Sequence, residues 1–226
     1  MEKLNRKKSI KMGDNLEKWA PRETKEDNLD EKYYGVGGFI LEIIKVFVLA
    51  FVIIFPIRVF LFQPFFVQGA SMEPNFENNQ YLIVNEFGYK KTVADINGTT
   101  LFTVNPFKEI QRQMVVVFRY PKNPSQFFIK RVIGLPGEKI QIKDNKITIF
   151  NSEHPDGFVL DESAYLASKV ITAGDLIINL KEDQYFVLGD NRGASSDSRS
   201  WGPVPEADVI GKVLLRAWPL NQLSVF

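Results

Sequence analysis

The chain has 226 residues, 45% of them hydrophobic, enough for one sizeable core plus accessory segments. Its 28 Lys and Arg nearly balance 27 Asp and Glu, so no basic excess points to nucleic acid and no acidic excess to a solvating tail. With no cysteine and a single histidine, disulfides, thiolate nucleophiles and cysteine- or histidine-rich metal sites are excluded.

Residues 1–38 read as a tail, polar and of mixed charge, with Trp19 its main large hydrophobe. Phe39 to Phe62 is the one membrane-length apolar stretch. At helical rise it measures roughly 36 Å, against a hydrocarbon core of about 30 Å. Glu42, Lys45 and Arg58 interrupt it, which leaves a buried core helix as the alternative. Large apolar residues on every face favour a span, with Glu42 and Lys45 paired near its start and Arg58 snorkelling at its end. Nine Lys or Arg precede the stretch, and none lies between Arg58 and Lys90. The positive-inside rule therefore places the N-terminus in the cytoplasm. A cleaved signal peptide fits poorly, because the preceding tail is long and the run ends in Phe, Pro and Arg rather than small residues.

From residue 63 onward the pattern is rich in strands and turns. Tyr81 to Val84, Met114 to Phe118 and Gln126 to Ile133 are β-branched or aromatic runs bounded by Pro, Gly and Asn. Ile140 to Ile142 and Ile147 to Ile149 alternate around the polar turn Lys143-Asp144-Asn145-Lys146, which predicts a hairpin. Asp175 to Leu180, Tyr185 to Leu188 and Asp208 to Trp218 add further strands. The fold class expected over 63–226 is mainly β and antiparallel, with about 140–182 as a small subdomain. Trp201 and Trp218 read either as core or as anchors at a membrane interface.

A serine hydroxyl needs a base to become a nucleophile near neutral pH. His154 lies in a turn-like polar run, Asn151 to Gly157, and reads best as a solvated loop residue. Lysine is the remaining base of suitable reach, and it works only when burial lowers its pKa by about three units or more. On a strand, Phe128, Lys130 and Val132 share a face, so apolar neighbours flank the Lys130 amine while Arg131 points away. Taken alone, that strand also fits an exposed, solvated lysine. The chain has no Gly-x-Ser-x-Gly elbow, no Ser-x-x-Lys, no Walker loop and no dinucleotide fingerprint. The Asn97-Gly98-Thr99 sequon is of the kind that arises by chance.

Three boxes carry more information together than apart: Gln68-Gly69-Ala70-Ser71-Met72-Glu73-Pro74, Lys130-Arg131-Val132-Ile133-Gly134-Leu135-Pro136-Gly137, and Gly189-Asp190-Asn191-Arg192 through Arg199. In this order behind a single anchor they resemble the signature boxes of bacterial type I signal peptidases, over roughly residues 39–140 and 185–218. The resemblance implies Ser71 as nucleophile, Lys130 as general base and Ser195 as the hydroxyl that orients the lysine amine. It implies an oxyanion hole at Ser71 and Gly69, with backbone donors only, since some members carry a serine hydroxyl where Gly69 stands. It places apolar pockets for small side chains at Phe65, Val67, Met72, Phe76 and Ile129, and a structural ion pair at Asp197 and Arg199. Asp190, Asn191 and Arg192 read as a tight turn with a structural ion pair. Asn75 departs from the usual Thr after the Pro, and Asn79-Gln80 from a common Gly-Asp.

The implied activity is a membrane-anchored Ser-Lys endopeptidase acting through an acyl-enzyme, without cofactor or metal. Its partners would be preproteins carrying signal peptides, the lipid bilayer and the export translocon, with no nucleic acid. The implied location is the bacterial cytoplasmic membrane, crossed once, with the catalytic domain on the outer face. A self-cleaving repressor-type Ser-Lys peptidase would need a DNA-binding domain where the apolar stretch lies. A catalytically dead binding protein of the same fold would be marked by loss of Ser71 or Lys130, and both are present.

Overall fold

The computed structural model describes residues 36–96 and 99–226. The tail up to residue 35, Asn97 and Gly98 of the sequon, and the Arg58 side chain lie outside the described residues. Helix α1 covers Val36–Phe60. Over Val36–Phe55 it is long and apolar enough to cross a membrane, with a mean hydropathy of 2.7. Its aliphatic and aromatic side chains are exposed around its circumference. It stops short of the expected Phe62 because that residue pairs with Asn85 in a sheet.

Beyond the helix the chain is built from short strands. β1 (Phe62–Phe66) and β2 (Tyr81–Asn85) are followed by a hairpin of β3 (Thr92–Ile96) and β4 (Thr99–Val104). β5 (Val115–Tyr120) and β6 (Asn123–Gly134) form a second hairpin, β7 (Lys139–Lys143) and β8 (Lys146–Phe150) a third. β9 (Phe158–Val159), β10 (Leu176–Asn179) and β11 (Gln184–Leu188) come next. A short helix α2 (Ser198–Trp201), β12 (Val204–Pro205), β13 (Val209–Trp218) and β14 (Ser224–Val225) complete the chain.

The larger sheet runs β1-β2-β13-β5-β6-β11-β12, with β14 on β13. A smaller sheet runs β10-β7-β8-β9. Every pairing is antiparallel, so the fold class is mainly antiparallel β. The β7–β8 turn forms where the polar run predicts it. Asp144 and Asn145 both take positive φ, 50° and 62°, which suits the right-handed twist of a two-residue hairpin. Pro64, which lacks an amide donor, sits on the edge strand β1, where no ladder bond is lost.

Period-two alternation divides the buried residues into three clusters. Val67, Met72, Phe76, Leu82, Val117 and Val213 belong to the first, with Phe65 and Ile129 against it. Val116, Phe118, Val132 and Val187 form the second, into which Trp201 packs, while Trp218 is half exposed. The third joins Ile133, Phe186 and Leu188 of the larger sheet to Ile140, Ile142, Ile147 and Ile149 of the smaller one.

Candidate active site

Ser71 lies in a turn that follows β1. Val67 and Gln80 close its base through a main-chain bond of 2.9 Å, and Phe76 N–H donates to the Met72 carbonyl. Gly69 enters the turn at φ 95°, a conformation that favours glycine, and donates its N–H to Asn78 Oδ1 at 3.0 Å. Lys130 comes from the middle of β6, opposite Val116 of β5. Although 59 positions apart, Lys130 Nζ and Ser71 Oγ are 2.6 Å from each other. The same nitrogen donates to its own neighbour's carbonyl, Ile129 O, at 2.8 Å. It also lies 5.4 Å from the Phe128 ring centroid.

Only 4% of Lys130 is exposed. Burial pushes its pKa down to about 8, against the opposing pull of the Asp197 and Asp190 carboxylates. The amine is therefore poised to be partly neutral near neutral pH, and its contact is a serine hydroxyl.

The loop after β11 holds the two halves together. Asn191 donates its backbone N–H to the Ser71 carbonyl at 3.0 Å and its side-chain amide to the Ala70 carbonyl at 3.1 Å. Asp197 caps α2 and receives the Gly189 N–H. Arg199 reaches Asp197 through Nε and Nη2, both at 2.8 Å. Burial works against ionisation of Asp197, but the Arg199 guanidinium, the Ser195 hydroxyl and the Gly189 amide outweigh it and hold the carboxyl below its ordinary range.

Three expectations need correction. Ser195 makes no hydrogen bond to the lysine amine: its buried Oγ lies toward the Asp197 carboxylate, whose ionised form it favours. It occupies the space that Gly189 leaves by having no Cβ, beside the Ser71 carbonyl, while the contacts of the amine are Ser71 Oγ and the Ile129 carbonyl. Gly69 is not a free oxyanion donor, because its amide is committed to Asn78. The Ser71 N–H has no acceptor among the described residues. Met72 and Phe76 are core residues, 1% and 0% exposed, and they underlie the substrate surface without lining it.

The surface itself is a groove of about 710 Å³ that runs up to Ser71 and Lys130. Phe65, Val67 and Ile129 line it, joined by Leu82, Val117 and Ala194, which no sequence motif marks. Its walls are strand edges. β1 pairs only with β2, and β11 covers β6 only at Arg131–Gly134, so the backbone of Gln126–Lys130 keeps one edge unpaired among the described residues.

The turn reading of Asp190 to Arg192 is incomplete, since their ion pairs reach outside the loop. Asp190, 1% exposed, takes Arg131 Nε at 2.8 Å and Nη2 at 2.6 Å. Arg192 turns to Glu162 and Thr172. Asn75 also joins Asp190, at 2.9 Å. No sequence spacing announces these contacts.

A family model, "Signal peptidase, peptidase S26", matches residues 40–218. A probable signal peptidase I-2 of Synechocystis is 30% identical over 185 residues, covering 82% of this chain and 76% of its own. Signal peptidase IB of Staphylococcus aureus is 30% identical over 196 residues, covering 82% of this chain and 93% of its own. A crystal structure of signal peptidase I from Enterococcus faecalis shares 32% identity over 47% of this chain and 97% of its own, at a TM-score of 0.39. The chain belongs to the signal peptidase family S26, whose members are serine endopeptidases that cleave signal peptides.

Proposed function

We propose that the chain cleaves preproteins with Ser71 as nucleophile and Lys130 as general base, through an acyl-enzyme. The observation that carries this is the 2.6 Å approach of a buried lysine amine to the Ser71 hydroxyl. With the amine neutral, the hydroxyl donates to the Nζ lone pair, while an amine N–H stays on the Ile129 carbonyl and fixes the direction of that lone pair. Lys130 takes the proton as Ser71 Oγ attacks the scissile carbonyl, and the Ser71 N–H faces the developing oxyanion. The ammonium then gives its proton to the departing amine as the C–N bond breaks, leaving an ester on Ser71. Neutral again, Lys130 accepts a proton from water as its oxygen attacks the ester, then returns that proton to Ser71 Oγ as the C–O bond breaks and the signal peptide leaves.

The unpaired edges of β1 and β6 suit an extended peptide laid between them, and main-chain bonds would hold it whatever its sequence. Shallow apolar walls at Phe65, Val67 and Ile129 would select small side chains at the first and third positions before the cut. Helix α1, apolar on all faces and exposed, suits a lipid environment and supports an anchor in the bacterial cytoplasmic membrane. The charge bias around the apolar stretch puts the N-terminus in the cytoplasm and the catalytic residues on the outer face, where exported chains leave the translocon.

The test incubates the detergent-solubilised protein with a preprotein and locates the new N-terminus. Ser71→Ala and Lys130→Ala should each abolish cleavage, and the double variant should be no worse than either. Activity should rise with pH through an acid limb near 8, because protonated Lys130 cannot accept the serine proton. Substantial activity in either single variant removes the dyad.

A further inference from the structure

We infer that Asn75 is a positioning residue, anchored by residues 160–174, that keeps the nucleophile turn in register with Asp190 and Arg131. The inference rests on the Ser71–Lys130 reading. Asn75 lies four positions past Ser71, and its amide nitrogen carries two N–H groups. One goes to Asp190 Oδ2 at 2.9 Å and the other to the Tyr165 carbonyl at 2.8 Å. Both partners can only accept, which fixes the orientation of the amide. The Asn75 carbonyl meanwhile receives Arg216 Nη1 at 3.0 Å, so the turn is gripped from two sides.

From Asp190 the connection continues through the Arg131 fork to β6, where the next residue is Lys130. Residues 160–174 brace the same groups. The Tyr165 ring stands 4.0 Å from the Arg131 guanidinium carbon, and its hydroxyl donates to Glu162 Oε1 at 2.6 Å. Glu162 Oε2 receives Arg192 Nη1 at 2.9 Å, and Arg192 Nε donates to the Gly189 carbonyl at 3.0 Å. Asn75 is thus where the nucleophile turn, the loop after β11 and this excursion meet. A threonine in its place would carry one O–H and could serve only one of the two acceptors.

The same contact touches one of the two carboxylates that act on the amine. Two carboxylates act on Lys130, Asp197 and Asp190. Asp197 is neutralised by Arg199, Asp190 by Arg131, and the Arg192–Glu162 pair stands behind Asp190. Removing the Asn75 donor leaves Asp190 less compensated. Its pull on Lys130 strengthens, the ammonium is favoured, and the acid limb of activity moves to higher pH.

The experiment measures kcat, KM and the pH profile of the full chain in detergent on a preprotein. Asn75→Ala should lower kcat on the order of ten- to hundredfold, change KM little and move the acid limb upward. Asn75→Thr, keeping one donor for Asp190, should restore the limb but not the full kcat. A wild-type kcat and limb in Asn75→Ala, or a loss that only tracks a smaller folded fraction, overturns the inference. Should Asn75→Ala not fold, a wild-type kcat in Asn75→Thr overturns it alone. Activity retained by Lys130→Ala would instead overturn the dyad reading beneath it.

Discussion

Around Ser71 charged side chains are buried beside apolar ones, whereas in the β10-β7-β8-β9 sheet the buried side chains are mainly isoleucines. Lys130, Arg131, Asp190, Arg192 and Asp197 are all nearly closed to solvent, and so are Ile140, Ile142, Ile147 and Ile149. The two kinds of burial have different consequences. Removing apolar area from water stabilises by roughly 25 cal/mol per Å², so the small sheet contributes stability directly. Burying charges is costly unless each is paired, and even then the pair is close to neutral in stability. What the charged cluster provides is a fixed geometry and a field in which a lysine can lose its proton. Among the described residues, only the larger sheet combines apolar cores with such a charged cluster, so the smaller sheet can be perturbed for stability without touching the chemistry.

The sharpest way to break the charged region without touching a charge is Gly189→Ala. A Cβ there would run into Ser195 Oγ and the Ser71 carbonyl, and the latter is backbone that can yield only by moving the nucleophile. Activity should fall on the order of a hundredfold or more, as an ångström of misplacement commonly does. The stability loss should stay near the 1–3 kcal/mol of an overpacked site. Wild-type kcat in Gly189→Ala would mean that the loop position does not govern Ser71.

Ile149→Ala is the counterpart in the other region. Its side chain is fully buried in the third cluster, and the cavity should cost about 2–5 kcal/mol, read by denaturant unfolding. The folded fraction should keep its kcat. A change in kcat beyond the loss of folded protein would show that the small sheet couples to the site more tightly than through residues 160–174.

The same division explains what could be read from the sequence. Alternation marks the β7 and β8 hairpin and the long run of β6 because a strand repeats its environment every second residue. Ser71 and Lys130 stand out because each lies in a short box with a recognisable resemblance. The resemblance puts Met72 and Phe76 at pockets, and they lie in the core instead, since a turn has no periodicity to say which side chain points inward. The roles of Asn75, Glu162 and Tyr165 were invisible for another reason. They depend on contacts spanning 115, 30 and 90 positions, made between turns and loops outside the helices and strands. Ser195 was placed by analogy, and its position depends on which space Gly189 leaves open.

The smallest effect is expected at His154, and it bears on the comparison because a histidine base would make the buried charges unnecessary. His154 is exposed, its N–H donates to Asn151 Oδ1 at 2.9 Å, and its ring leans on Phe158 at 4.9 Å. It does not line the groove that leads to Ser71. His154→Ala should leave kcat and KM within about twofold and stability within about 0.5 kcal/mol, as for a surface substitution. The acid limb near 8 should not move, since that limb belongs to Lys130. The measurement is the pH–rate profile of the variant beside wild type. A loss of tenfold or more, or a limb displaced by the substitution, would hand the base to histidine and leave the buried lysine without a task.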